Sequence, residues 1–526
     1  MDEHAVVRKF MDIDVQLTKD ALEVLRGHGN MEVAVDRVLS TLMEKETKPF
    51  VITSNIVAEI LGKGLQKPKQ LVSIKPLPPT PEVENKQKSE VEAKTGRLPE
   101  LTHTKFKPIA AEYESRVNVL KDITGQSYSA GELKDFVGLF NNRYERLSRI
   151  LQNRIELQDA IPIGSLSKIG ERETVKVIGL VSDKRESSIG NMMINLEDPT
   201  GKATAFVFKR KGELFQKAAE VVPDEVIGVI GSLRGGDRTP RIFVNDIIWP
   251  DLPVKHDPRR ADDPVCAALI SDLHVGSEMF LEDLFLKFVK WLRGEAGDGG
   301  HQKLAGRVKY IVLAGDVVDG IGVYPQQDEE LLIEDIFKQY EMAAKILGQV
   351  PEHITVIIAP GNHDAVRPSE PQPAISKDMA GELCDLNTIM IGNPAWFSLH
   401  GVNFIAYHGR SFDDLIATMP GLNRQDPIPP MIKLLQKRHL APIYGGRTAI
   451  SPEQHDYLII DDPPDVFHCG HVHVNGYIRY RDVSVVNSGT FQGKTHYMQQ
   501  LGVDPTPGIV PVVDLQTHQT KVIRFA

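Results

Sequence analysis

The sequence predicts an α/β architecture in three parts: a large C-terminal α/β domain, a five-stranded β-barrel before it, and a small helical module at the start. Three observations carry this. From about residue 264 onward, apolar strand-like runs alternate with helical stretches, and each run ends in polar residues. Between residues 160 and 250 the runs are short, β-branched and separated by turn signals such as Asp198-Pro199 and Gly235-Gly236. Near the N-terminus, Val15, Leu17, Ala21, Leu22, Val24 and Leu25 recur near helical spacing.

Taken in order, residues 1–64 read as a helical interaction module. A second helix would carry Val33, Val35, Val38, Leu39 and Leu42, and Ser54 would cap a third that runs through Leu61. Residues 65–112 are rich in Pro, Lys and Glu and poor in aromatics, the composition of a flexible linker. Residues 113–158 read as a helical connector, with a helix from Ala130 to Leu157. Residues 159–253 hold five strands with a short helix, Gly212 to Ala219, after the third, which matches an oligonucleotide-binding (OB) barrel. Its Phe206, Phe208 and Phe243 alternate with aliphatics and are expected in the core. Docking to a protein and direct contact with DNA both remain open for it. Residues 254–526 form the α/β domain.

Bulk properties narrow the class. Hydrophobic residues make up 41% and charged residues 25%, ordinary for a globular protein. The formal net charge of −10 argues against a protein that coats DNA through overall charge. The three cysteines, Cys266, Cys384 and Cys469, contain no CxxC pair, so neither a zinc ribbon nor a disulfide scaffold is expected. The first residues lack a signal-peptide core, and no stretch approaches the roughly 20 apolar residues of a membrane helix. A cytoplasmic protein with no membrane partner is expected.

Five polar clusters follow five strand-like runs: Asp272-Leu273-His274, Gly315-Asp316-Val317-Val318-Asp319, Gly361-Asn362-His363-Asp364, His408-Gly409 and Gly470-His471-Val472-His473. Each alone is ordinary turn chemistry. Their joint occurrence at strand ends points to ligands gathered at the edge of a sheet. Carboxylate, amide and imidazole donors without thiolate suit manganese, iron or zinc better than copper. Period-two geometry would let Asp272 and His274 face one ion. Asp316 is the natural carboxylate to bridge two ions roughly 3.5–4 Å apart. Two such ions stabilise charge on phosphoryl oxygens and acidify water, and His363 is placed to donate a proton to the leaving oxygen. Flanking Gly315, Gly361, Gly409 and Gly470 would permit tight turns.

At these residues the sequence resembles the calcineurin-like metallophosphoesterases, whose pattern is DxH, GDxxD, GNH[D/E], H and GHxH. The resemblance implies that the α/β domain is a calcineurin-like β-sandwich flanked by helices. It implies that Asp272, His274, Asp316 and His473 hold one metal, and that Asp316, Asn362, His408 and His471 hold the other. His363 would be catalytic, with Asp319 and Asp364 orienting the ligands from behind. Two divalent ions are implied, manganese first, with iron, zinc, nickel or magnesium as substitutes.

Substrate does not follow from such ligands. The layout of helical module, tether, OB barrel and phosphoesterase resembles the polymerase B-subunit family, in particular the small subunits of archaeal family D DNA polymerases. PGNHDAVRPSEPQP, HGRSFDD and the stretch from Lys433 to Thr448 support it locally. This resemblance implies a 3′-to-5′ exonuclease for proofreading, acting on DNA 3′ ends. It also implies a heterodimer or larger assembly with a large catalytic polymerase subunit; a sliding clamp or primase are further candidate partners. A stand-alone phosphodiesterase and a non-catalytic scaffold are the rival readings. Arg410, Arg424, Lys433, Lys437, Arg438 and Arg447 are candidate contacts for the DNA backbone, against a reading of the same charges as a solvated helix face. Gly489 to Thr495 resembles a P-loop, but its first glycine is one residue too close.

Overall fold

The computed structural model describes residues 106–235 and 239–526, and near the N-terminus residues 6, 9, 16, 17, 19–26, 31–43, 51, 52, 57, 60 and 61. The chain divides into two compact units, Met1–Glu90 and Val91–Ala526.

In the first unit, helices Lys19–Arg26 and Met31–Met43 bury Ala21, Leu25, Ala34, Val35 and Val38 with Val57 and Leu61. The predicted first helix begins later than its apolar spacing suggests. Leu17 instead pairs in parallel with Ile52. Val33 is exposed, because it falls on the opposite face from Val35 and Val38. Ser54 and residues 65–105 of the expected 65–112 linker lie outside the described residues, and the end of that stretch forms a short helical turn, Ile109–Glu112.

The second unit contains two six-stranded sheets and a closed barrel. The first sheet runs in the order Thr388–Met390, Thr355–Ala359, Val308–Ala314, Cys266–Ile270, Ile509–Asp514, Thr520–Arg524. Three of its four inner strands, Cys266–Ile270, Val308–Ala314 and Thr355–Ala359, pair in parallel and are buried throughout. That is why they read as unbroken apolar runs. The second sheet runs Asn475–Tyr480, Val483–Ser488, Val466–Cys469, Val402–Ala406, Ala395–Leu399, Val117–Lys121. Leu269, Tyr310 and Val312 of the first sheet share one apolar cluster with Phe397, Phe404, Val466 and Val486 of the second, so the sheets pack face to face. Among the described residues no helix is long and apolar enough to cross a membrane.

The connector differs from expectation. Val117–Lys121 is a strand that pairs antiparallel with Ala395–Leu399, and the helix is shorter, Leu133–Gln152. Only long-range pairing makes Val-Asn-Val-Leu-Lys extended. The helix buries Leu147 and Leu151 against Ile178 and Val226 of the barrel, while Leu139 packs in the cluster of Phe412 and Leu434. Its Arg143 lies fully buried against Asp456 at 2.8 Å.

The barrel closes in the order Thr174–Glu186, Met192–Asp198, Gly201–Val207, Arg241–Ile248, Val226–Arg234, with helix Gly212–Ala219 after the third strand in the chain. Phe206, Phe208 and Phe243 are not core residues. Ala205, Val207, Ile242 and Val244 take the inward positions, so the alternating phenylalanines face outward. Their rings meet edge to face at 5.2–6.0 Å. Arg210, Arg234 and Arg241 lie over them at 5.2, 5.6 and 6.0 Å.

Three of the proposed backbone contacts are instead held in joints. Lys437 pairs with Glu225 of the barrel at 2.7 Å, with side chains only 2% and 1% exposed. Lys433 pairs with Glu220 at 2.7 Å. Arg438 is buried and donates to the carbonyl oxygens of Ile460 and Asp461. The two lysines face inward because helix Ile428–Lys437 turns them toward the acidic Glu220 and Glu225 of the barrel domain. Removing one partner of a buried pair typically costs about 3–5 kcal/mol. Lys437→Ala is therefore expected to lower unfolding stability by that amount in urea titration.

Candidate metal centre

The site forms where inner strands of both sheets end. Cys266–Ile270 is followed by Asp272 and His274, Val308–Ala314 by Asp316, Thr355–Ala359 by Asn362, Val402–Ala406 by His408, and Val466–Cys469 by His471 and His473. Five of these side chains leave the backbone from an unusual conformation. Asp272, His274 and Asp316 each have φ 53°, His471 72° and His473 59°. Asp272 and His274 are therefore not the alternating residues of an extended strand, as period-two spacing suggested. Left-handed backbone at a non-glycine residue costs of order 1–3 kcal/mol and persists only where its surroundings enforce it, typically at functional sites.

The donor atoms converge. His274 Nε2 and His473 Nε2 face each other at 3.1 Å. Asp272 Oδ1 lies 3.3 Å from His473 Nε2 and 3.9 Å from His274 Nε2. Asp316 Oδ2 lies 3.6 Å from His274 Nε2 and 3.2 Å from His408 Nε2. His408 Nε2 is also 3.1 Å from Asn362 Oδ1. Asp316 thus touches ligand candidates of both expected groups, while its Oδ1 accepts the His363 backbone N–H at 2.9 Å.

Neighbours set the ring orientations. His274 Nδ1 lies 2.8 Å from Asp319 Oδ1, and His408 Nδ1 lies 2.9 Å from the Ala314 carbonyl oxygen. A donor at each Nδ1 leaves an Nε2 lone pair aimed into the site. The two Nε2 atoms of His274 and His473 at contact distance, with the Asp272 carboxylate beside them, suit a cation held among them. His473 Nδ1 is buried without a hydrogen-bond partner of its own, and His471 Nε2 meets Asp413 Oδ1 at 3.4 Å. Asp272, His274 and His473 have ligand atoms within 4.8 Å of one another, as do Asp272, Asp316 and His408. The oxygen and imidazole donors fit hard or borderline divalent ions.

Each predicted residue has a definite place. Seven ligand candidates, Asp272, His274, Asp316, Asn362, His408, His471 and His473, lie around one cleft, with His471 furthest toward Asp413 at 3.4 Å. His363 lies beside them, its ring 4.6 Å from that of His274, and its Nδ1 donates to the Asp319 carbonyl at 2.6 Å. Burial pushes its imidazole down to about 4. Asp319 supports His274, as expected. Burial works against its charge, but the His274 contact holds its carboxyl below the usual range. Asp364 does not touch a histidine. It accepts N–H groups of Gly361, Val317 and Val318 and the Tyr340 hydroxyl, tying two ligand loops together. Burial and the neighbouring Asp316 push it up to about 6.

Arg410 and Arg424 line the cleft, and Arg424 is ion-paired with Asp413. Arg447 is exposed in an adjoining groove. Sequence spacing does not single out Asp413, nor Gln327 and Gln492, which donate to Asp319 at 2.9 and 3.2 Å. Asp413 belongs to the HGRSFDD run, but only folding brings it to His471.

Comparison with known proteins follows the same lines. The family of B subunits of DNA polymerases alpha and epsilon matches residues 267–477, and that of the OB-fold nucleic acid binding domain matches residues 175–249. The chain is 39% identical to the DNA polymerase II small subunit of Archaeoglobus fulgidus over 512 residues, covering 97% of this chain and 96% of that one. It is 43% identical to the DNA polymerase II small subunit of Methanothermobacter thermautotrophicus over 419 residues, 80% of this chain and 85% of that one. The chain belongs to the family of DNA polymerase II small subunits.

Two outcomes test the geometry. A Cβ on Gly361 would overlap the Asp316 carboxylate and fall 2.5 Å from Asp316 N. Gly361→Ala should displace Asp316 and lower manganese retention at least roughly tenfold, read by elemental analysis after dialysis, with the circular dichroism spectrum preserved. Glu370, buried and accepting from the Tyr407 hydroxyl at 2.9 Å, is raised by burial from 4.5 to about 7. The unfolded chain ionises first, so stability should fall as pH rises from 4.5 to about 7. Denaturation of Glu370→Gln across that window should lack this slope.

Proposed function

We propose that this chain is the exonuclease subunit of a replicative DNA polymerase, a calcineurin-like phosphodiesterase that removes mispaired nucleotides from DNA 3′ ends. One observation carries the reading: carboxylates and imidazoles from separate loops meet with their Nε2 atoms turned inward, flanked by a carboxylate that touches both groups. Family membership supports a large catalytic subunit as partner, and a clamp or primase remain candidate partners.

Asp272, His274, Asp316 and His473 would hold one divalent ion, manganese first, and Asp316, Asn362, His408 and His471 a second. Such ions neutralise phosphoryl charge and acidify water. The chain's own groups do the rest. Asp319, Gln327 and Gln492 keep His274 in one tautomer and orientation. Asp364 holds the Asp316 and Asn362 loops in register through backbone N–H groups. His363 is neutral beside the ligands, with Nδ1 donating to the Asp319 carbonyl and Nε2 left to exchange a proton. An arriving phosphate anion favours the protonated ring. That ring then hands its proton to the departing 3′ oxygen of the penultimate nucleotide. Arg410 is placed to pair with a phosphate at the cleft mouth. The outward phenylalanines and arginines of the barrel favour strand contact over protein docking for that domain.

Nucleotide release from a 3′-mismatched primer in manganese, with and without a large subunit, tests the reading. Asp316→Asn and His363→Ala should each lower the rate roughly a hundredfold or more. His363→Ala should keep its metal. Unchanged rates in both variants would leave a non-catalytic scaffold as the correct description.

A further inference from the structure

The metal centre is not evenly exposed. Its cleft continues on one side into a pocket walled by aromatic rings, and on the other into a groove carrying arginines. The two share Asn362, His363 and Arg410, so a chain crossing the site would place a group on each side of the reacting phosphorus.

The aromatic side is continuous from the chemistry to the surface. The His363 ring lies 6.1 Å from that of Tyr324, which stacks on Tyr497 at 5.4 Å with 20° between planes. Tyr324 is fixed by its hydroxyl, which donates to Glu330 at 2.9 Å. Tyr497 stands at the rim, 43% exposed, on the short helix His496–Leu501. Met498, Leu501 and Val503 complete an apolar lining. A tyrosine pair with an apolar floor suits a flat heterocycle, because every nucleobase offers a π-face and the stacking is tolerant of sequence. The opposite groove carries Arg410 and Arg447, which suits a phosphodiester backbone.

We infer that the Tyr324–Tyr497 wall is the seat of the terminal nucleobase, and that the strand upstream of the cut leaves along the Arg410–Arg447 groove. This deepens the phosphodiesterase reading and rests on it. It accounts for an end-specific enzyme: the base seat receives a nucleotide with one neighbour, while the open groove accepts a polymer. It also assigns a specificity role to two tyrosines outside the metal ligands, with no demand for a particular base.

The test uses the full chain and a single-stranded oligonucleotide carrying 2-aminopurine either at its 3′ end or at an internal position. Binding is followed by fluorescence in EDTA, where no turnover occurs. The 3′-terminal probe should be quenched more than the internal one. Tyr497→Ala should abolish that difference and Tyr497→Trp should restore it. With manganese, Tyr497→Ala should raise KM for the oligonucleotide about tenfold, the lower range of one lost stacking contact. It should lower turnover of methyl p-nitrophenyl phosphate, which has no base, less than turnover of the oligonucleotide. Equal quenching at both positions, or quenching untouched by Tyr497→Ala, overturns the base seat. Failure of the unsubstituted protein to turn over the small diester overturns the phosphodiesterase reading instead.

Discussion

The structure around the cleft is organised by one constraint: two carboxylates and several imidazoles must lie within contact distance, out of water, with their oxygen and Nε2 atoms pointing at one another. Asp272, Asp316, His274, His408 and His473 meet at 3.1–3.9 Å. Without positive charge between them this arrangement is unfavourable, since buried anions and lone pairs repel and each has lost its hydration. The scaffold therefore holds them by other means. Parallel strands buried on both faces fix the loop origins, and Asp364 and Asp319 brace the loops and rings from behind.

The same constraint explains the backbone. Five ligand candidates adopt left-handed φ, a conformation whose energy the surrounding fold must offset. Glycines appear where even one carbon would intrude. At Gly315, with φ 90°, a Cβ would fall 2.5 Å from His408 Nδ1 and 2.8 Å from Gly361 Cα. These are requirements of close approach rather than of turn formation alone.

Beyond the centre, buried ion pairs fix the larger parts of the second unit. Lys437 with Glu225 and Arg143 with Asp456 join the barrel, the long helix and the insert, each surrounded by apolar packing. Such pairs contribute little net stability but penalise any arrangement that separates them. They make the barrel a fixed neighbour of the two-sheet core rather than a tethered one. That in turn decides which basic residues line the groove beside the site: Arg410 and Arg447, not Lys437 or Arg438.

The sequence alone was enough for the strand ends, the five polar clusters and the barrel, because those signals are local. An unbroken apolar run closing in Asp, His or Gly needs no partner to be read. It was insufficient wherever a residue's role depends on what lies across from it. Val117–Lys121 is a strand only because Ala395–Leu399 offers it an edge. Phe206 and Phe243 face outward because barrel closure turns their neighbours in. Lys437 is interior because Glu225 comes from a domain 212 positions away. Asp413 and Tyr497 join the cleft by folding alone. Spacing along a chain encodes periodicity and chemistry, but direction and proximity between distant segments are set by packing, and only the tertiary structure contains them.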